Sequence, residues 1–193
     1  MIKPVEYLFA FILFLALSIQ GVQAAESPPA GSAFPDLKIA APKTDAEKDY
    51  LGLKEKAPFK VSQIKAQVVI LEIFSMYCPY CQKEAPLINE LYNMIDKRPE
   101  LKGKIKILGI GAGNTPFEID VFKNQYHIPF PLFSDEDYSI HKAAGEVRTP
   151  YFFVFKMNPD GSNKIIYSKV GSIQNPEQFL DLIVRESGLK QEG

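Results

Sequence analysis

The stretch VVILEIFSMYCPYC, residues 68–81, decides the fold of this chain. Six of its first seven residues are large and apolar, which is typical of a central strand covered on both faces. The motif Cys78-Pro79-Tyr80-Cys81 follows at once, and the residues after it show helical spacing of apolar side chains. Residues three apart lie on one helix face, so the two sulfurs can meet. The stretch therefore predicts a strand and a helix joined at a reactive dithiol.

The composition excludes several classes of protein. The chain has 193 residues, 46% of them hydrophobic, and 22 basic residues against 23 acidic ones. This size and mix suit one globular domain and argue against a disordered chain. A net charge of -1 lacks the basic footprint of a nucleic-acid binder, so nucleic acid is not an expected partner.

The N-terminus reads as a signal peptide over residues 1–24. A basic start precedes the apolar run 7–19, and Val22-Gln23-Ala24 supplies small residues for cleavage after Ala24. The run is well short of the ~20 residues that a membrane-spanning helix needs. We therefore expect a periplasmic protein, with membrane contact only in the alternative case that this segment is kept as an anchor.

Three regions follow from the rest of the pattern. Residues 25–58 read as a flexible Pro-, Ser- and Gly-rich leader and an irregular segment with a short helix near 45–51, and residues 59–190 as the folded domain. Further strands are expected at 105–110, 151–155 and 164–170, with an extended piece at 128–133. Helices are expected at 116–126, with Phe117 on its apolar side, at 137–144, and after Asn175, which reads as an N-cap with Gly188 as C-cap. This order predicts an α/β fold of three layers, a mixed sheet with helices on both faces.

The two cysteines suit chemistry better than cross-linking. A bridge between Cys78 and Cys81 closes so short a loop that it removes little chain entropy. At a helix N-terminus, Cys78 would have a lowered pKa and act as the attacking thiolate, while Cys81, deeper in the helix, would resolve the mixed disulfide. An inert pair and half of a zinc site are the alternatives. The zinc reading fits poorly, because His127 and His141 lack the usual ligand spacing. We expect no metal and no cofactor.

Residues 72–86, EIFSMYCPYCQKEAP, resemble the active-site region of thioredoxins. The segments FPDL at 34–37, KVSQIK at 60–65, FPLFSD at 130–135 and RTP at 148–150 are similar to the TlpA/ResA-type branch of periplasmic thiol-disulfide oxidoreductases. The resemblance covers most of residues 34–188 and implies a thioredoxin-like fold.

The resemblance also implies roles for individual residues. Pro150 would be a cis-proline that faces the dithiol and exposes the backbone of Thr149 to an extended substrate. Glu72 would be a buried acid that accepts the proton of Cys81 through water, the alternative being a glutamate that reaches solvent at a strand edge. Tyr77 stands where a Trp is frequent.

Together with Pro79 and Tyr80, Tyr77 would form the substrate-binding rim. The alternative for Tyr77 is an ordinary packing role.

The resemblance implies an exported thiol-disulfide oxidoreductase. It would act as a reductase that exchanges its dithiol with protein disulfides, receive electrons from a membrane thiol donor, and serve targets such as apocytochrome c. A peroxiredoxin-like thiol peroxidase is one alternative: Ser75 fits that family's motif, but Leu71 stands where its Pro is expected. A copper-binding assembly factor is another, although such proteins usually space their cysteines C-x3-C.

Overall fold

The computed structural model describes residues 26–189 and shows one five-stranded sheet. The predicted signal peptide and its cleavage after Ala24 lie outside the described residues. In sheet order β3-β2-β1-β4-β5, β1 is parallel to β2 and β2 to β3, whereas β4 is antiparallel to both β1 and β5. The strands are β1 Val68–Phe74, β2 Ile105–Ala112, β3 Leu132–Asp135, β4 Tyr151–Met157 and β5 Asn163–Val170.

Helices cover both faces of this sheet. They are α1 Asp45–Leu51, α2 Pro79–Lys97, α3 Pro116–Gln125, α4 Ser139–Ala143 and α5 Pro176–Ser187, with a 3₁₀ turn at Val61–Gln63. Side chains of α2, α3 and α5 form one core with the sheet, and those of α1 and α4 form the other. Because β1, β2 and β3 are parallel and consecutive, right-handed crossovers place α2 and α3 on the same face. The predicted three-layer fold with a mixed sheet is confirmed. Among residues 26–189, no helix has the length and apolarity needed to cross a bilayer.

Strand β1 lies at the centre of the sheet, with all seven residues buried between β2 and β4. Side chains alternate along a strand, so Val68, Ile70 and Phe74 join the core under α2. The same alternation directs Glu72 toward α2. The strand thus presents one carboxyl to the helix that carries the dithiol.

The leader is held against the sheet. Gly31 N donates to Ile165 O, and Ile165 N donates to Ser32 O, both at 2.8 Å. The Phe34 ring packs on Phe153 and Phe155, with centroids 5.1 and 4.9 Å away. The segment expected to be a flexible leader makes these contacts because the outer edge of β5 offers backbone groups that β4 does not use and the core accepts an aromatic ring.

Several expected features are present and two differ. The short helix near 45–51 is α1, and the Asn175 side chain caps α5 by accepting from Gln178 N at 2.9 Å. The third strand lies later than the expected 128–133. Phe117 was expected on the apolar side of α3 but is 76% exposed, because α3 packs through Ile119 and Phe122.

Candidate active site

The dithiol lies at the junction of β1 and α2. Cys78 is the N-cap residue, with extended backbone angles of φ -81° and ψ 115°, and Pro79 follows as the first helical residue. Proline suits that position, because its ring presets the helical φ and its missing N–H would have no partner there. The free N–H groups of the next residues then point toward the sulfur of Cys78.

The Cys78 thiol is half-buried and touches the loop before β4. Its Sγ donates to Thr149 O at 3.4 Å. Burial works to raise the pKa of this thiol, but a hydrogen bond with the Thr149 side chain and hydrogen bonds from Cys81 and Tyr80 act in the opposite direction, and the pKa is lowered overall. This is the direction expected of a cysteine at a helix N-terminus.

The Cys81 thiol has the opposite character. Its side chain is 1% exposed, and burial, followed by the negative charge of Glu72, raises its pKa well above the ordinary value. The Cys81 thiol donates a hydrogen bond to the sulfur of Cys78, which raises its own pKa further and lowers that of Cys78. The site thus holds one thiol whose pKa is lowered and one whose pKa is raised.

Glu72 is 5% exposed beneath this pair. It pairs with Gly109 of β2 and Phe152 of β4, so the alternative of a strand-edge glutamate in solvent is wrong. Burial, then the charges of Glu84 and Cys78, raise its pKa to about 8. A carboxyl with this pKa can both take up and release a proton near neutral pH.

A second buried carboxyl, that of Glu84, was missed by the sequence analysis. It is 1% exposed on α2, and its Oε1 accepts from Ile173 N at 2.9 Å. Burial is the main cause of its raised pKa, and hydrogen bonds from Ser172 and Ile173 oppose it. The signal was its position three residues after Cys81, which places both side chains on one face of α2.

The loop before β4 faces the dithiol as the resemblance implies. The Thr149–Pro150 peptide is cis, and Pro150 O accepts from Gly171 N at 2.9 Å. The backbone N–H of Thr149 donates to no group within residues 26–189. An extended chain laid beside this loop would find an open donor there.

Side chains from the loop after β2, from α2 and from α3 hold the turn that precedes Cys78. Met76 N donates to Asn114 Oδ1 at 2.9 Å, and Gln82 Nε2 donates to Met76 O at 2.8 Å. The Tyr77 hydroxyl donates to Glu118 Oε1. Asn114 is fully buried, and no sequence pattern singled it out. The backbone N–H and C=O of Met76 are therefore both held by side chains, which fixes the start of α2.

The predicted rim residues are on the surface. Tyr77 is 65% and Tyr80 71% exposed, and Pro79 is exposed between Cys78 and Tyr80. The packing alternative for Tyr77 is wrong, since its ring lies outside the core.

The two histidines take no part in the site. His141 Nε2 lies 2.8 Å from Val147 O, and His127 is exposed. Within residues 26–189, His, Cys, Asp and Glu side chains form no group of three or more that could hold a metal ion.

Comparison with known proteins identifies the family of this chain. The profile of the AhpC/TSA family matches residues 30–167, well over half of the chain. The chain belongs to the AhpC/TSA family. It is 30% identical to "Thiol-disulfide oxidoreductase ResA" of Bacillus thuringiensis subsp. konkukian over 126 residues, which are 65% of this chain and 66% of that relative, slightly less than two thirds of its length. That name agrees with the enzyme class predicted from the motif.

Solved structures support the fold. A Chlorobium tepidum protein provisionally named thiol:disulfide interchange protein DsbE has a TM-score of 0.63 at 16% identity, covering 84% of this chain and 100% of that one. A secreted Mycobacterium tuberculosis disulfide oxidoreductase has a TM-score of 0.54 at 15% identity, covering 78% and 96%. At these identities the likeness shows the thioredoxin-like fold alone.

Proposed function

We propose that this protein is an exported thiol-disulfide oxidoreductase that reduces protein disulfides through Cys78 and Cys81. The observation that carries the proposal is the opposite environment of the two thiols: the pKa of Cys78 is lowered at the start of α2, and that of Cys81 is raised by burial. The attacking thiol must be ionised, whereas the resolving thiol must stay protonated until the mixed disulfide has formed. The difference in pKa therefore sets the order of the two steps.

In the first step the Cys78 thiolate attacks one sulfur of a substrate disulfide. A Cys78–substrate disulfide forms, and the other substrate sulfur leaves as a thiolate that takes a proton from solvent. In the second step Cys81 gives its proton, through water, to the Glu72 carboxylate and attacks Cys78. The second substrate sulfur leaves as a thiolate and is protonated in turn. The substrate gains two electrons, and the protein is left with a Cys78–Cys81 disulfide.

The pKa of Glu72 suits this relay. With a pKa of about 8, roughly a tenth of the carboxyl is ionised at pH 7, and this fraction rises steeply toward pH 8. The carboxyl and the Cys81 thiol lie in the same low-dielectric core, where proton exchange avoids leaving two anions together. We therefore expect Glu72 to limit resolution of the mixed disulfide and not its formation.

The substrate would bind as an extended segment across the loop before β4. The open N–H of Thr149 supplies a backbone hydrogen bond, in the manner of strand addition, next to the sulfur that reacts. Tyr77, Pro79 and Tyr80 supply exposed contact area on the other side of that sulfur. Backbone pairing is indifferent to sequence, which suits an enzyme that accepts several proteins.

Reduction in a cell requires a supply of electrons. We propose that a membrane thiol-electron donor re-reduces the Cys78–Cys81 disulfide and that the targets are exported proteins, apocytochrome c among them. The signal-like segment 1–24 supports a periplasmic location. Thiol exchange moves electrons between sulfurs only, so the reaction needs no cofactor.

The test is mixed-disulfide trapping. Cys81→Ser, incubated with an oxidised protein substrate, should accumulate a covalent adduct through Cys78 that is visible by mass spectrometry and lost on adding dithiothreitol. Cys78→Ser should form no adduct, and full turnover by that variant would refute the proposal. Alkylation of free thiols in intact cells gives the direction: a mostly reduced pool supports a reductase, and a mostly oxidised pool indicates an oxidase.

Thiol peroxidase remains a second candidate, favoured by the family match and by Ser75, which stands three residues before Cys78. Stopped-flow mixing of the reduced protein with hydrogen peroxide separates the two functions. Slow, bulk-thiol consumption of peroxide beside fast reduction of a protein disulfide supports exchange, and the reverse order supports the peroxidase. Retention of Cu(I) after purification would instead support a copper-binding assembly factor.

A further inference from the structure

A cavity of about 450 Å³ opens directly beside the reacting sulfur. It shares Thr149 with the active site, and Thr149 O is 3.4 Å from Cys78 Sγ. Its walls come from α2, from the cis-proline loop and from the end of β5. The lining residues are Tyr80, Lys83, Glu84, Leu87, Arg148, Thr149, Pro150, Val170, Gly171 and Ser172.

The charges on these walls are unbalanced. Lys83 and Arg148 are both exposed, and neither forms an ion pair with any residue in the part of the chain that the structure covers. Glu84 is the single acid among the lining residues, and its carboxyl is turned into the protein, where it accepts from Ile173 N. The mouth of the cavity is therefore cationic, which favours an anionic group on whatever enters it.

Much of the remaining wall is apolar. Leu87 and the buried Pro150 line it together with Tyr80 and Val170, which are exposed. An inorganic anion would leave this area unused, whereas a peptide segment brings both apolar atoms and a carboxylate. The combination fits a polypeptide better than a free ion.

We propose that this cavity is a specificity subsite for protein segments that carry an aspartate or glutamate close to the reacting cysteine, with Lys83 and Arg148 as the groups that select it. This inference rests on the proposed thiol-disulfide exchange. It adds to the reaction a preference between substrates, which the open N–H of Thr149 alone cannot provide.

The spacing follows from the extended conformation. A strand advances about 3.3 Å per residue, and alternate side chains point the same way. A residue two positions from the substrate cysteine therefore lies about 7 Å along, on the same side as that cysteine. Because Thr149 borders both the sulfur and the cavity, the proposal assigns the acidic side chain to this position of the substrate.

The test compares three disulfide-linked peptides that are identical except at one position, two residues from the cysteine. That position carries Asp, Asn or Lys. At low ionic strength we expect kcat/KM for the Asp peptide to exceed that for the Lys peptide about tenfold, with Asn between them, and the ratio to shrink as salt is added. Lys83→Gln and Arg148→Gln should each reduce the Asp:Lys ratio, and the double variant should bring it close to one. Arg148→Lys should keep most of the preference.

Lys97→Gln is the matched control, since Lys97 is an exposed lysine at the far end of the same helix. It makes the same charge change and should leave the ratio as in the wild type. Equal reduction of the three peptides by the wild type, or a ratio that survives in the double variant, overturns the subsite but leaves the exchange function standing. Failure to reduce any of the three, together with no adduct in Cys81→Ser, overturns both.

Discussion

Replacing Glu72 with glutamine should remove a large pH dependence from the stability of the fold. The pKa of Glu72 is raised from 4.5 to about 8 in the buried strand, first of all by burial. The folded state therefore holds this proton more tightly than the unfolded chain does. Stability is unaffected below about pH 4.5 and falls as the pH rises through the interval to about 8, because ionisation in the folded state is disfavoured. Across that interval the loss is on the order of 5 kcal/mol for a fully buried carboxyl.

The assay is denaturant unfolding of the reduced protein from pH 4.5 to pH 9. Glu72→Gln should match the wild type in acid and become the more stable protein by several kcal/mol at pH 9. Subtracting the two profiles isolates Glu72 from Glu84 and the thiols. Glu90→Gln, an exposed position on α2, is the control and should follow the wild-type profile. Parallel wild-type and Glu72→Gln profiles between pH 6 and 9 would show that the carboxyl is solvated and would remove it from the proposed proton relay.

Three other substitutions test individual contacts. Asn114→Ala leaves the Met76 N–H without its partner and should lower the free energy of unfolding by about 1–3 kcal/mol; it should also raise the pKa of the attacking thiol, followed by thiolate absorbance, and an unchanged thiol pKa would show that the turn holds its shape unaided. Tyr77→Phe removes the hydrogen bond that is the main cause of the lowered pKa of Glu118, so that pKa should rise toward its ordinary value in a carboxyl NMR titration; an unchanged titration would mean that the two side chains do not meet in solution. Asn175→Ala removes the cap of α5 and should cost about 1 kcal/mol in chemical unfolding, with no change in thiol reactivity.

The architecture was predictable because its signals are local. The run at Val68–Phe74 is buried along its whole length. Asn175 caps the start of α5 and Gly188 ends it, as their residue types indicate. Phe117 shows the limit of such patterns. Its hydrophobicity fits the helical period, but it lies in the first turn of α3 and is exposed, whereas Ile119 and Phe122 further along the helix are buried. Apolar period gives the face of a helix and not where its packing ends.

The candidate site divides in the same way. The dithiol, Glu72 and the Thr149–Pro150 pair were accessible from the motif and the resemblance. Glu84 and Asn114 were missed: the spacing of Glu84 from Cys81 indicates only a shared helix face, and the burial of both residues depends on distant partners, Ile173 for the carboxyl and Met76 for the amide. A buried polar residue needs a hydrogen-bond partner, and here that partner is not visible in the local sequence.

The attachment of the leader bears on how this molecule meets its neighbours. An edge strand with unpaired amides and carbonyls can pair with a strand of another chain, which is the first event in many aggregates. Gly31 and Ser32 already occupy the outward groups of Ile165, and Pro28 and Pro29, just before them, have no amide hydrogen to offer a newcomer. The outer edge of β5 is therefore already paired at Ile165 by the protein's own chain. A substrate polypeptide can instead pair with the open N–H of Thr149, where its sulfur can be exchanged and the chain released.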